Sequence, residues 1–370
     1  MESCLTLDSS LPRFQTIVRL RWAATRTKIV ASPSLPLDAD VVKRFLTQRW
    51  FLIALFAVLA SGITGANLLE PIAANKALRD CVVAAVLFLM ALPLEASAMW
   101  RSMSRPWPPL LAVAINFGLL PLFAWAVSLG LDPVMAPGLL VAAATPCTLA
   151  SASVWTRRAG GNDSVSILVT IFTNATCFFV TPLWLLAMTG KTIDNPDLSL
   201  SKMAMKLGLL VVLPMILAQF LRLHKPLASW ATRSKPLLSV CAQCGILSMV
   251  FFGAVRTGLR LGEADATELA PFTLFAMLVA VCTVHITMLV TGVWLARLFR
   301  FSREDQIAVA FASSQKTLMV GLLMAMSLRV SILPMVTYHV MQLLIDTLIA
   351  DHFRRQGERE SELKESGDAR

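Results

Sequence analysis

Ten apolar runs govern what this chain can fold into. They lie at roughly 48–66, 78–98, 107–129, 134–155, 163–189, 203–221, 236–256, 269–296, 306–328 and 331–350. About 20 apolar residues in a helix cross the hydrocarbon of a bilayer. Lipid offers a backbone no partners, so a run that crosses must satisfy its own peptide groups, and single runs do this as helices. The expected fold is an all-α polytopic membrane protein with ten transmembrane helices. Composition agrees: 56% of residues are hydrophobic and 15% charged, against about 25% charged in a soluble domain. Nine Trp and one Tyr suit an interfacial belt made mostly of indoles.

Three blocks follow: residues 1–46 as an N-terminal tail, 47–350 as the membrane domain, and 351–370 as a charged C-terminal tail expected to fray. The first block has no long apolar core, so no cleaved signal peptide is expected. Its stretch "RFQTIVRLRWAATRTKIV" reads as a basic amphipathic helix on anionic lipid, as a disordered tail, or as the product of an early start codon. With the N-terminus inside, 24 Lys and Arg fall in cytoplasmic segments and eight (Lys76, Arg79, Lys191, Lys202, Lys206, Arg256, Arg260, Arg329) in outer loops, leaving Lys316 within a span. This bias places both termini in the cytoplasm, with the cytoplasmic (plasma) membrane as the location. The net charge of +10 then faces lipid, and no nucleic-acid partner is expected. Seven scattered Cys form no metal pattern; Cys241 and Cys244 read as packing residues on an apolar helix.

Two runs are interrupted by polar residues. The fourth carries "ATPCTLASAS", where Pro146 removes a backbone N–H. The ninth carries "FASSQKTLMV", with Ser313, Ser314, Gln315, Lys316 and Thr317 in succession. An offset of about 168 residues relates them, Thr145 to Ser313. Each is the fourth span of a five-span half, about 47–190 and 200–350. Five is odd, so the halves are inverted repeats. Matching interruptions in two inverted halves point to a transporter site, because unwound backbone at membrane depth survives only when buried in protein or lining a wet cavity.

The fifth run adds a polar stripe, Ser166, Thr170, Thr173, Asn174, Cys177 and Thr181, at helical spacing. Asn116 lies in the third run before Pro121, His285 in the eighth, and Tyr338, His339 and Gln342 in the tenth. The candidate ion- or substrate-binding set is Asn116, Ser151, Ser166, Thr170, Asn174, His285, Ser314, Gln315, Lys316 and Thr317.

"TPCTLASASVWTRRAGGNDSVSILVTIFTNATCFFVTPLWLL" and "FASSQKTLMVGLL" resemble the two signatures of the sodium/bile acid cotransporter superfamily. They are most similar to its bile-acid-transporter-like (SBF-like) branch, which holds the seventh member of the human family and its bacterial relatives. The resemblance covers about residues 45–350. It implies a panel domain of spans one, two, six and seven, and a core domain of the rest, in which discontinuous helices four and nine cross. It also implies a sodium ion at Ser151, Ser166, Thr170 and Gln315, with Asn116 matching a span-three amide of a second site. Two departures stand out. The span-four asparagine is Ala152, and the span-nine glutamate shared by both sodium sites aligns with Phe311.

With that glutamate gone, no acidic side chain is expected near the centres of the core spans. Asp346 reads as lying about one turn inside the end of span ten. An ammonium should repel sodium, so Lys316 reads as a tethered cation or a counter-charge for an anionic substrate. His285 reads as a proton-coupling group or a packing histidine. No P-loop, HExxH or GxSxG appears, so no enzyme and no cofactor beyond a coupling sodium or proton is expected. The leading function is a secondary active transporter of a small organic anion, working by alternating access. The alternatives are a membrane regulator or scaffold that keeps the fold and moves nothing, and a channel or receptor.

Overall fold

The computed structural model describes residues 39–94, 106–189, 199–263 and 270–368. Arg101, Arg105, Lys191, Glu95 and the amphipathic stretch of the N-terminal block lie outside them. The chain forms two compact units, Met1–Trp50 and Phe51–Arg370, and the second holds everything that follows.

Fourteen helices are numbered in chain order. They are α1 (Ala39–Thr64), α2 (Ala66–Ala74), α3 (Lys76–Ala91), α4 (Trp107–Ser128), α5 (Ala136–Ala144), α6 (Ser151–Arg158), α7 (Asp163–Thr189), α8 (Leu200–Leu221), α9 (Lys225–Arg233), α10 (Lys235–Glu263), α11 (Pro271–Leu298), α12 (Arg303–Ser314), α13 (Leu318–Leu328) and α14 (Leu333–Asp368). Among the described residues, seven helices are long and apolar enough to cross a membrane. The number is eight if α1 and α2, bent by 104°, count as one. The run beginning near 78 yields the 16 residues of α3. The fourth run splits into α5 and α6, of nine and eight residues.

Burial is inverted relative to a soluble protein. On α7 the polar stripe Ser166, Thr170, Thr173, Asn174 and Thr181 is buried, while Phe172, Phe178, Phe179 and Leu183 are exposed. A helix that hides its hydroxyls and shows its aromatics has lipid as its solvent. The α12–α13 segment, Arg303–Leu328, is wholly buried over its apolar window.

The helices pack in two groups. In one, α10 lies against α2 and α3, and α3 against α8; in the other, α12 lies against α4, α6, α7 and α11, while α14 lies against α5, α6 and α11. The "AGGN" turn locks three members of the second group. Gly160 turns at φ +77°, a conformation that favours glycine. A Cβ on Gly161 would meet Ile307 of α12 at 2.7 Å. Asn162 bonds α12 twice, its N–H to Glu304 O (3.0 Å) and its Nδ2 to Asp305 Oδ1 (2.9 Å).

Two expectations change. The C-terminal block does not fray, since α14 continues to Asp368. Its first part is pinned by Asp351, which accepts from Arg158 Nε at 2.9 Å, and by Arg303 Nη2 donating to Phe353 O at 2.6 Å. Cys241 and Cys244 are unpaired and exposed on α10, so they fill no interior space.

Candidate functional site

The breaks at 145–150 and 315–317 meet. Thr317 N donates to Pro146 O at 3.0 Å, a main-chain bond between the interruptions. Thr145, Gln315 and Thr317 have extended backbone angles. Such residues expose N–H and C=O groups inside protein, and each has to find a partner.

At the first break α7 supplies them. Asn174 Nδ2 donates to Cys147 O (2.7 Å), Thr170 Oγ1 to Thr148 O (3.0 Å), and Cys147 N donates to Thr173 Oγ1 (3.2 Å). Thr181 Oγ1 caps Ala144 O at 2.8 Å. The polar stripe of α7 is thus a ladder of caps for the unwound chain. At the second break the partners come from α4, α11 and α14. Asn116 Nδ2 donates to Ala312 O, Ser313 O and Gln315 O at 3.0–3.2 Å. Gln342 takes Lys316 N on Oε1 and gives Nε2 to Lys316 O, at 3.0 and 3.1 Å. Tyr338 Oη donates to Ser314 O at 2.9 Å.

Lys316 is fully buried. Its Nζ donates to Thr145 O (2.7 Å), Asn116 O (2.8 Å) and Asn116 Oδ1 (3.0 Å), and it faces the Phe117 ring at 5.7 Å. Three donors meet three oxygens, which is the whole capacity of an ammonium. The Asn116 carbonyl is available because α4 has a π-turn at Ile115–Leu119, where Leu120 N bonds Ile115 O. The next N–H would have come from residue 121, and Pro121 has none. Proline also frees Phe117 O, which Trp184 Nε1 caps. Thr145 O is at the C-terminal, negative end of α5, which favours a cation.

A second cluster adjoins it. Asp346 is fully buried. Its Oδ2 accepts from Gln315 Nε2 (2.5 Å) and its Oδ1 faces His285 Nε2 at 2.9 Å; His285 Nδ1 faces Ser314 O at 3.3 Å. Both imidazole nitrogens therefore face oxygens, and a proton between Nε2 and Oδ1 satisfies both partners. This corrects the expectation that no acidic side chain is present in the core: α14 brings one to the ninth-span break. Phe311, at the position of the expected glutamate, instead packs in an apolar cluster with Ala159, Leu289 and Ile307.

Ser151 Oγ donates to Gln315 Oε1 (2.8 Å) and lies 3.1 Å from Thr148 Oγ1. Ser151, Thr170 and Gln315 are thus linked through Thr148. Ser166 lies apart, bonded to Thr156 Oγ1 at 2.7 Å and Ala308 O at 3.5 Å. The oxygens of Asn116 and Thr145 do not fit a sodium ion as they stand, because Lys316 Nζ occupies them. Among the described residues there is no cluster of three or more His, Cys, Asp or Glu to hold a metal.

The sequence reading missed Asp346, Thr148 and Thr156 as partners. Asp346 had a signal: Tyr338, Gln342 and Asp346 are four apart and share one face of α14.

A cavity of about 630 Å³ reaches the first break. Thr148, Ser151 and His339 line one side, Met90 of α3 and Gln243 of α10 the other, with Arg233 and Lys235 among its exposed residues. It lies between the two packing groups.

These features define a class: a multi-pass helical membrane transporter with broken helices meeting inside the protein. The chain belongs to the SBF-like CPA transporter family, whose profile matches residues 49–355. It is similar to an uncharacterised protein of Pseudomonas aeruginosa, 30% identical over 73% of this chain and 82% of that one. YfeH of Escherichia coli K12, a symporter only by provisional name, is 28% identical over 66% of this chain and 73% of its own. The sodium/bile acid cotransporter 7-A of Xenopus laevis is 23% identical over 82% and 91%.

Proposed function

We propose that this protein is a secondary active transporter that moves an amphipathic organic anion by alternating access, coupled to protons and not to sodium. One observation carries the coupling: Lys316 Nζ fills a three-oxygen cation niche where the broken helices meet. The ammonium neutralises the same carbonyl oxygens that a hard cation would seek. A sodium ion entering there would meet that charge at close range, costing several kcal/mol at about 4 Å with an effective dielectric of about 20.

The His285–Asp346 pair supports proton coupling. Gln315 bonds both Asp346 and Ser151, and Ser151 lines the cavity. Protonation of the pair would change what Asp346 Oδ2 offers Gln315, and through Gln315 what Ser151 presents to solute. The cavity's apolar walls and its exposed Arg233 and Lys235 suit a solute with a hydrophobic body and an anionic group.

In this reading the chain has ten spans. The α1–α2 pair is span one, α3 belongs to span two, and α5 with α6 forms span four. The halves near 47–190 and 200–350 are inverted repeats. The α2, α3, α8 and α10 group is the panel, and the remaining spans are the core that moves against it. Both termini face the cytoplasm, across the plasma membrane.

The test is counterflow in proteoliposomes loaded with a mixture of carboxylated amphiphiles. Saturable exchange, accelerated by a pH gradient and unchanged when choline replaces sodium, is the expected result. Absence of exchange of every anion would favour a regulator or scaffold, and non-saturating flux a channel.

A further inference from the structure

The positive-inside bias leaves eight basic residues on the expected outer side. Four of them, Arg79, Arg256, Arg260 and Arg329, line a single cavity of about 570 Å³, in which Glu70 is the one acidic lining residue. We propose that this cavity is a binding pocket for an oxyanion, a phosphate or carboxylate group carried on a small organic body.

It is separate from the cavity at the first break. Helix α10 begins at Lys235, which lines that cavity, and reaches this one at Arg256 and Arg260, roughly 38 Å along the axis. The pocket therefore lies at the other end of the helix bundle and stands whether or not the transport reading does.

Main-chain oxygens hold the guanidinium groups in place. Arg79 Nη1 donates to Ala73 O (3.1 Å) and Arg256 Nη1 to Met326 O (2.8 Å). Arg260 donates from Nη1 to Arg329 O and from Nη2 to Val330 O, both at 3.2 Å. Carbonyls orient these groups but do not neutralise them, so four like charges share one cavity with one carboxylate. Arg329 sharpens the point. It ends α13 at φ +58°, a left-handed position where glycine is the unstrained choice. A side chain kept there against backbone preference supplies something glycine cannot.

A neighbouring cavity of about 530 Å³ concentrates the field further. Lys76, Lys202 and Lys206 line it beside Asp80, and Lys206 Nζ bonds Ser327 Oγ on α13 at 2.6 Å. Seven cations thus gather around the C-terminal end of α13. The arginine cavity is the better oxyanion site of the two. Guanidinium forks match the paired oxygens of phosphate and carboxylate, and Leu259, Val330 and Ile332 give it an apolar wall.

The anion has two possible sources, a soluble solute or an anionic lipid headgroup, and the experiment separates them. Full-length protein in phosphatidylcholine nanodiscs is titrated with inorganic phosphate and with pyrophosphate against chloride at matched ionic strength, reading melting temperature. Saturable stabilisation is expected, with affinity at least about tenfold weaker in the double variant Arg256→Gln/Arg329→Gln. Glu70→Gln, which removes the opposing charge and breaks no described bond, should bind more tightly. In nanodiscs containing phosphatidylglycerol, native mass spectrometry counts retained lipid. Retention that phosphate displaces identifies a headgroup; phosphate binding without retention identifies a soluble ligand. Phosphate binding unchanged in both variants, or no binding of either probe by the wild type, overturns the proposal.

Discussion

The two breaks solve one problem in different ways. At 145–150 the exposed backbone is capped mostly by short side chains of the adjacent α7, and the break is partly open: Ala150 is exposed, Ser151 is half-buried, and both line the 630 Å³ cavity. At 315–317 the caps are longer side chains from α4, α11 and α14, and every residue from Ser313 to Thr317 is buried. The first break is therefore the face that meets solute. The second is a dry hub that holds the charges, the Lys316 ammonium and the His285–Asp346 pair. Solute and coupling chemistry are divided between them, with Ser151–Gln315 as the bridge.

The largest effect expected from breaking this division is at Lys316. Lys316→Met leaves Thr145 O and both Asn116 oxygens without their buried donor, at about 1–3 kcal/mol for each orphaned group. Folded yield and melting temperature in detergent should fall clearly. A variant as stable as the wild type would show that the ammonium is not what satisfies the hub.

Asn116→Ala and Asn174→Ala sharpen the comparison. Asn116 Nδ2 serves three carbonyls of the dry hub, and Asn116 also holds Lys316. Asn174 Nδ2 serves Cys147 O and its own helix, while its Oδ1 has no partner. The Asn116 variant should lose more stability, by about 1–2 kcal/mol. Equal losses would mean that the two breaks are equally dependent on their caps.

Much of this was legible in the sequence. Pro146 and the "SSQK" run announced the breaks, and the spacing of Ser166, Thr170, Thr173 and Asn174 announced the face of α7 that caps the first. Asp346 was misjudged because span ten was counted from an apolar run ending at 350, whereas the helix continues to Asp368 through charged residues. Depth in the membrane was then inferred from the wrong end. The pairing of Thr156 with Ser166 and of Thr148 with Ser151 had no sequence signal, since hydroxyl partners on different helices are set by tertiary packing. The π-turn in α4 had half a signal, Pro121 five residues after Asn116. Lys316 was recognisable as a buried cation, but its three oxygens were not.

A smaller effect is expected at the proton pair. Asp346→Asn keeps an acceptor for Gln315 Nε2 and removes the carboxylate facing His285. Exchange should persist at one pH while its acceleration by a pH gradient is lost. An undiminished pH response would remove Asp346 from the coupling.

The central claim is that Lys316 stands where sodium would bind. The most direct measurement is the melting temperature of the purified protein titrated with sodium chloride against choline chloride, for the wild type and for Lys316→Ala. The account predicts no sodium-specific stabilisation of the wild type, and its appearance in the variant once Asn116 and Thr145 oxygens are vacated. Saturable, sodium-specific stabilisation of the wild type would contradict it.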